Sequence, residues 1–370
     1  MYLSFSVSNF RGIHSLSISH LSDLNLVVGK NNVGKTALLE ALFVHSGGGN
    51  PSLALAVQGF RATELGRIEL GLASTPPWES LFADLDMTHP IIFESEEREN
   101  RFRVTQIQPV LDADLSKLYA RLQKPADPQT QSWPRPALPP SVLTLISEEP
   151  RRSRQSAQKP RRRAQSYLIL DEQGPRVFPF PATPPFQTFF VSDTAHATIN
   201  EDSELYGRLA RGKTEHLLLD SLRKIEPHLK DVREVSSGGQ PMLMADIGLD
   251  RLIPLSVMGG GILRLSRLLI RIANAENGVV LVDEIDNGFH HSALPSLWRV
   301  VSQSATRSNV QIIATTHSLE CIKAAHQVFL EQFDTTFELH RIDRRNGKLV
   351  CTSYDTEILG AAIDSELEVR

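Results

Sequence analysis

The 370-residue chain is 41% hydrophobic and 22% charged, which fits a folded globular core and excludes a fibrous or wholly disordered chain. A formal net charge of -4 gives no global attraction to nucleic acid, so any DNA contact must come from a local patch. The two cysteines, Cys321 and Cys351, make no disulfide framework, no apolar run approaches the ~20 residues that cross a bilayer, and the N-terminus lacks a signal-peptide pattern; a cytoplasmic, membrane-free setting is expected.

Period-2 alternation and then a continuous apolar run predict strands at Tyr2–Ser8, Ser15–Ser19 and Leu24–Val28. Gly29–Lys35 reads as a glycine-bounded loop and Thr36–His45 as a helix that ends at Gly47-Gly48-Gly49-Asn50. From Pro51 to about Asp250 the pattern turns irregular, with strands expected at Pro90–Glu94, Phe102–Val110 and Ser166–Asp171. Within it Lys124–Pro140 is proline-rich, and Glu148–Arg163 is too basic to bury apolar surface and is expected as a disordered loop. Glu201–Val235 returns to helical periodicity, broken near Gly212 and Pro227, and leads to a strand at Met242–Ile247.

Regular alternation resumes near Leu252. A helix is predicted over Ile262–Ala275, a buried strand over Gly278–Val282, a helix over Ser292–Gln303 and a buried strand over Val310–Thr315. A closing strand region (Thr336–Tyr354) and a helix (Glu357–Glu366) follow. Strands apolar on both faces, alternating with helices, indicate an α/β fold with a mostly parallel sheet covered on two sides. The expected organisation is a core split between residues 1–50 and 250–370. A helical or irregular lid is inserted at 51–249, with a disordered Pro/Arg-rich loop at 124–163.

Gly29-Lys30-Asn31-Asn32-Val33-Gly34-Lys35-Thr36 is a full G-x-x-x-x-G-K-T between an apolar strand and a helix, the context in which such a loop cradles phosphates. Glycines let backbone N–H groups converge on phosphate oxygens; Lys35 would reach the β- and γ-phosphates of ATP, and the Thr36 hydroxyl would sit on Mg²⁺. Asn31, Asn32, Val33 and Ala37 complete this nucleotide-binding stretch. Val279–Val282 ends in Asp283-Glu284: Asp283 would hold the metal and Glu284 would polarise the attacking water. His317 closes a second apolar strand, where a lone histidine is more often structural; the resemblance given below implies instead a switch that contacts the γ-phosphate. Leu255-Ser256-Val257-Met258-Gly259-Gly260-Gly261, ahead of a helix, is either a plain helix-entry turn or an anion-binding one.

In that order the motifs resemble those of stand-alone ABC-like, AAA-type ATPases such as the ATPase domain of OLD (overcoming lysogenisation defect) proteins, and more distantly RecF and SMC ATPases. SNFRGI, GKNNVGKTALLEAL, LSVMGGG, VVLVDEIDNGFHHSALPSLW and IIATTHSLECI carry the resemblance. It implies a dimer in which each ATP is bridged by the P-loop of one subunit and by Ser256 and Gly259–Gly261 of the other, with catalysis by Glu284, His317 and Lys35. It also places Arg11 near the nucleotide and Asn287–His291 in a partner-contacting loop. His290 and His291 have no third ligand to make a metal site. Two positions depart from the family pattern: Val257 stands where a serine is usual, and Gln58 is the one candidate for the glutamine between the Walker motifs. The stretch after His317 is too short for the nuclease domain that OLD nucleases carry. The expected partner is therefore a separate effector, a nuclease or toxin in antiviral defence. DNA in a RecF- or SMC-type repair role is the alternative, and an ATP-binding structural protein with little turnover is the third.

Overall fold

The computed structural model describes residues 1–59, 76–110, 141–150, 162–171, 174–192, 199–237, 239–331 and 335–370. The chain opens with β1 (Tyr2–Phe10), β2 (Ile13–Ile18), β3 (Leu24–Gly29), α1 (Lys35–Ser46) and α2 (Ser52–Gly59). Next come β4 (Ile91–Glu97), β5 (Arg101–Pro109), β6 (Ser141–Glu149), β7 (Arg162–Asp171), β8 (Gly174–Phe178) and β9 (Thr188–Val191). Two helices, α3 (Ile199–Arg211) and α4 (Glu215–Arg223), precede β10 (Asp231–Ser237), β11 (Gln240–Asp246) and β12 (Ile253–Pro254). The last third is α5 (Gly260–Asn274), β13 (Val279–Val282), α6 (Leu294–Arg307), β14 (Gln311–Thr315), α7 (Leu319–Glu331), β15 (Phe337–Arg345), β16 (Lys348–Tyr354) and α8 (Thr356–Asp364).

By its internal contacts the chain divides into two units. The first holds Met1–Ser4, Ser17–Leu39 and Phe186–Arg370; the second holds Phe5–Leu16 and Glu40–Pro185.

The first unit is built on a six-stranded sheet of order β16-β15-β3-β14-β13-β9. β9, β13, β14, β3 and β15 run parallel, and β16 closes the edge antiparallel to β15. The apolar runs of β3, β13 and β14 are buried at every residue, as strands covered on both faces must be. The buried polar side chains on these strands have partners: Asn25 donates to Ser22 O and Ile312 O, and Gln311 to Tyr2 O and Ser22 O. Leu265, Leu268, Leu269 and Ile272 of α5 join the core, as does Trp298 of α6, packed edge-on against Phe329 and Phe337. Because the strands are parallel, Gly29, Val282 and Thr315 all end at the same edge of the sheet. That edge of an α/β sheet is where ligands are received.

The second unit carries a seven-stranded sheet, order β2-β1-β4-β5-β6-β7-β8, antiparallel from β4 to β8. Its core gathers Phe5, Phe10 and Phe93 around the wholly buried His45. His45 contacts Thr105 Oγ1 and Ser95 Oγ at 2.8 Å each, and Ser95 donates to Glu97, which pairs with the buried Arg103. Burial and the nearby Arg103 push the His45 pKa well below its ordinary value, so the ring is neutral.

Several elements differ from the sequence reading. Within 51–249, expected as helical or irregular apart from strands at Pro90–Glu94, Phe102–Val110, Ser166–Asp171 and Met242–Ile247, those four form as β4, β5, β7 and β11, and β6, β8, β9 and β10 are strands that the reading lacked. The burial along β4 and β5 alternates, as in an antiparallel sheet with one buried face. Glu148 and Glu149, assigned to a disordered loop, instead pair with Arg163 and Arg162 across β6 and β7. The rest of that loop, and the proline-rich Lys124–Pro140, lie outside the described residues. The helical reading of Glu201–Val235 ends early, since Asp231–Ser237 is a strand paired with β11. The closing strand is a hairpin, turned at Asn346-Gly347 with φ of 50° and 79°, the left-handed pair that a tight two-residue turn requires.

Candidate functional site

The glycine loop leaves β3 through Gly29, whose φ is 146° and whose place a larger residue could not take: a Cβ there would lie 2.4 Å from the main-chain oxygen of Ile342. Asn32 (φ 60°) and Gly34 (φ 102°) complete the turn into α1, and Leu38 N–H closes the first helical bond onto Gly34 O at 2.9 Å. Asn31 and Asn32 are exposed, whereas Val33 and Ala37 are buried beneath the loop. Lys35, the first residue of α1, is buried; its ammonium donates to Gly29 O (2.8 Å) and Lys30 O (3.1 Å) and lies 3.4 Å from His317 Nδ1. Desolvation lowers its pKa to about 8, although Asp283 and Glu284 pull in the opposite direction.

Thr36 turns toward the end of β13. Its hydroxyl donates to the Asp283 carboxylate at 3.0 and 3.2 Å. Thr315, the last residue of β14, donates to Asp283 Oδ1 at 2.6 Å and accepts the Glu284 N–H at 2.8 Å. Glu284 has φ 50°, a left-handed conformation that is strained for a glutamate and recurs where a site over-determines the backbone. The next main-chain bonds hold it there: Ile285 N–H reaches Thr315 O at 3.0 Å, and Thr316 Oγ1 donates to Asp286 at 2.6 Å. His317 is exposed at the mouth; desolvation and then the Lys35 charge lower its pKa, so its ring is neutral near pH 7. With Nδ1 facing an ammonium, the ring proton belongs on Nε2.

Lys35, Thr36, Asp283 and His317 are thus brought together, and Glu284 is fixed beside them by its backbone. The donor set fits the group it is expected to hold. Thr36 Oγ1 and an Asp283 oxygen are hard ligands suited to Mg²⁺, which takes few protein ligands and completes its shell with phosphate and water. Among the described residues no cluster of three His, Cys, Asp or Glu side chains is placed to hold a metal. His290 and His291 pack ring on ring (4.1 Å), and His290 accepts from Ser292 N–H, capping the turn before α6.

The glycine turn lies elsewhere on the same unit. Leu255–Met258 form one short helical turn, Gly259 has φ 108°, and Gly260 begins α5. Ser256, Val257, Gly259 and Gly260 are exposed, Val257 to 67%. Gly261 is pressed against the loop after Glu284; a Cβ there would meet Gly288 O at 2.8 Å and the Phe289 ring at 3.5 Å. Arg11, in the second unit, pairs with the buried Glu40 (2.6 Å) and donates to Val57 O, so its charge is engaged by a carboxylate there. Gln58 hydrogen-bonds Pro77 O and Ser80.

Two residues escaped the sequence reading. Thr315 bridges Asp283 and Glu284, and Arg264, one helical turn into α5, donates to the main-chain oxygens of both Asp283 and Glu284, the latter at 2.8 Å. A hydroxyl just ahead of the strand-end histidine was the available signal for the first. For the second there was none, since Arg264 is one of three arginines on α5, with Arg267 and Arg271.

Comparison with known proteins gives short sequence matches and a match of fold. An uncharacterized protein of Methanocaldococcus jannaschii is 43% identical over 42 residues, 11% of this chain and 19% of that protein. The DNA replication and repair protein RecF of Francisella tularensis subsp. mediasiatica is 36% identical over 69 residues, 18% of this chain and 17% of RecF. The chain therefore spans under a fifth of the length of either. The fold matches the crystal structure of an Smc head bound to the C-winged helix domain of ScpA, with a TM-score of 0.50 at 12% identity over 98% of this chain and 99% of that one. Among the described residues no helix is long and apolar enough to cross a membrane. Residues 24–322, most of the chain, match the family model described as "AAA domain, putative AbiEii toxin, Type IV TA system", and the protein belongs to that family of P-loop ATPases.

Proposed function

We propose that the chain binds ATP with Mg²⁺ and hydrolyses it to ADP and phosphate, in a site that a second copy completes. The observation that carries this reading is the convergence of Lys35 with His317, 282 residues away, and of Thr36 with Asp283, 247 residues away, at one edge of one sheet. Lys35 and the loop amides at the start of α1 bind the β- and γ-phosphates. Thr36, and Asp283 through water, would hold Mg²⁺, which when bound would neutralise charge on the phosphate oxygens. Glu284 orients the attacking water and takes its proton as the bond to the γ-phosphorus forms and the bond to the leaving oxygen of ADP breaks. His317 Nε2–H donates to a γ-phosphate oxygen. Ser256 and Gly259–Gly261 of one copy contact the γ-phosphate held by the other; their exposure and helix-entry position support that role.

The output we favour is a switch that holds and releases a separate effector, a nuclease or toxin, in antiviral defence; the toxin–antitoxin wording of the family description supports it. A DNA-acting role is the second reading, favoured by the short RecF match. Phosphate release from ATP and Mg²⁺ by the purified chain tests the enzyme. Lys35→Ala should abolish ATP binding while leaving the circular dichroism spectrum unchanged, because the charge serves phosphates rather than the core. Wild-type turnover in that variant would remove the assignment. Double-stranded DNA raising the rate several-fold would favour the RecF-like role, and a co-purifying effector released by ATP the switch.

A further inference from the structure

The last strand of the first unit, β16, closes one edge of the six-stranded sheet and, among the described residues, pairs only with β15. The tight turn at Asn346-Gly347 makes Arg345 and Lys348 its closing hydrogen-bonded pair, and bonding then alternates along the hairpin. Lys348, Val350, Thr352 and Tyr354 therefore direct their main-chain groups to β15, and Leu349, Cys351 and Ser353 turn theirs outward. Among the described residues none of these outward groups has a main-chain partner. Proline, bulges and charges are the devices by which an edge strand ordinarily blocks a neighbour. This edge runs seven residues, about 23 Å, without a proline or a bulge, and Lys348 is its only charge. The opposite edge of the same sheet, β9, has the short, protected form instead, at four residues.

We propose that two copies of the chain join along β16, antiparallel about Cys351, so that their sheets run on as one without nucleotide. The strand is complementary to itself in that register. Cys351 faces the partner's Cys351, Leu349 the partner's Ser353, Val350 the partner's Thr352, and Lys348 the partner's Tyr354, so no like charges meet. The three outward residues exchange their N–H and C=O groups with the partner's, as the hydrogen-bonded pairs of an antiparallel ladder do. Val350, 38% exposed, meets the methyl group of the partner's Thr352 on one face of the joint. Two-fold pairing covers the open edge of both copies at once, whereas a strand supplied by an unrelated protein covers one. This contact is separate from the ATP site, which in the proposed reading doubles whatever mass the nucleotide-free chain has.

The test is the mass of the full chain without nucleotide, by light scattering and sedimentation from about 1 to about 200 μM, because a contact one strand wide is small and should dissociate on dilution. The wild type should pass from monomer to dimer over that range. Val350→Lys and Thr352→Glu each set like charges diagonally across the joint and should weaken the dimer at least about tenfold. Val350→Lys combined with Thr352→Glu puts opposite charges face to face and should recover the wild-type dimer to within about threefold, a rescue specific to the register centred on Cys351. Circular dichroism and the thermal transition should match the wild type in every variant, which separates a lost contact from a lost fold. A wild type still monomeric at the highest concentration, a dimer that Val350→Lys leaves intact, or a double variant as weak as the single ones overturns the proposal. A monomeric wild type from which Val350→Lys removes a co-purifying protein assigns the edge to that protein and overturns it equally. In a Glu284→Gln background Val350→Lys should leave the doubling of mass on adding ATP, so loss of the edge contact and failure of the shared site read differently.

Discussion

Lys35 is the residue whose titration should be visible in function. Burial holds its pKa at about 8, and a bound polyphosphate favours the charged form, so ATP binds the protonated lysine and binding takes up a proton wherever the free site has lost one. Affinity should be flat below about pH 7.5 and fall above about pH 8, approaching about tenfold per unit. In that window the phosphates are already fully ionised, and His317, with its pKa lowered, is already neutral. Equilibrium binding of ATP measured from pH 7 to 9.5 checks this; a flat curve would mean that Asp283 and Glu284 outweigh the desolvation. The residues proposed to touch phosphate or metal were legible in the sequence because apolar strands deliver them: Lys35 after LNLVVG, Asp283 and Glu284 after VVLV, His317 after QIIATT. Thr315 and Arg264 were not, since they act on main-chain atoms that become neighbours only once β13, β14 and α5 have packed.

At the scale of elements, α3 is fastened to α5 by charge. Asp202 receives Arg271 Nη1 at 2.8 Å and Arg267 Nε at 2.7 Å, with Glu201 3.4 Å from Arg271, and both Asp202 and Arg271 are almost fully buried. A buried pair of this kind adds little net stability, but removing Asp202 leaves the buried Arg271 only the half-exposed Glu201 as counter-charge. Asp202→Ala should therefore destabilise the chain by about 3–5 kcal/mol, read as an earlier thermal or urea transition. The double variant Asp202→Leu with Arg271→Met should regain most of that loss. If it does not, the cost lay in packing or helix termination rather than in the stranded arginine. Long periodic elements such as α5 and α6 were readable, and so were the buried parallel strands, because each carries its own pattern. β9 was not: four residues, Thr188–Val191, follow a proline-rich stretch and take their place only by pairing with β13. The same holds for β10, where Asp231–Ser237 carries helix-compatible residues and is made a strand by β11.

At the scale of the whole molecule, the proposed shared site would make the number of chains depend on the nucleotide, since one chain carries both the exposed glycine turn and Glu284. Glu284→Gln keeps the shape of the side chain and leaves Asp283, Thr36 and Lys35 intact. ATP and Mg²⁺ should still bind, water is no longer polarised, and a closed pair of chains should accumulate. Asp283→Asn acts on a different step. Its carboxylate accepts from both Thr36 and Thr315. An amide offers one acceptor and a poorer metal ligand, so Mg²⁺ binding and closure should both weaken. Light scattering with ATP, with ADP and without nucleotide separates the two variants: doubled mass with ATP alone for Glu284→Gln, and little change for Asp283→Asn. Equal mass in all three conditions for Glu284→Gln, with ATP demonstrably bound, would leave two forms of the idea to separate. A chain that is monomeric throughout has no shared site. A chain that is dimeric throughout must show closure instead as hydrogen-exchange protection of Ser256–Gly261 on adding ATP, because contact with a partner's phosphate would shelter that exposed turn.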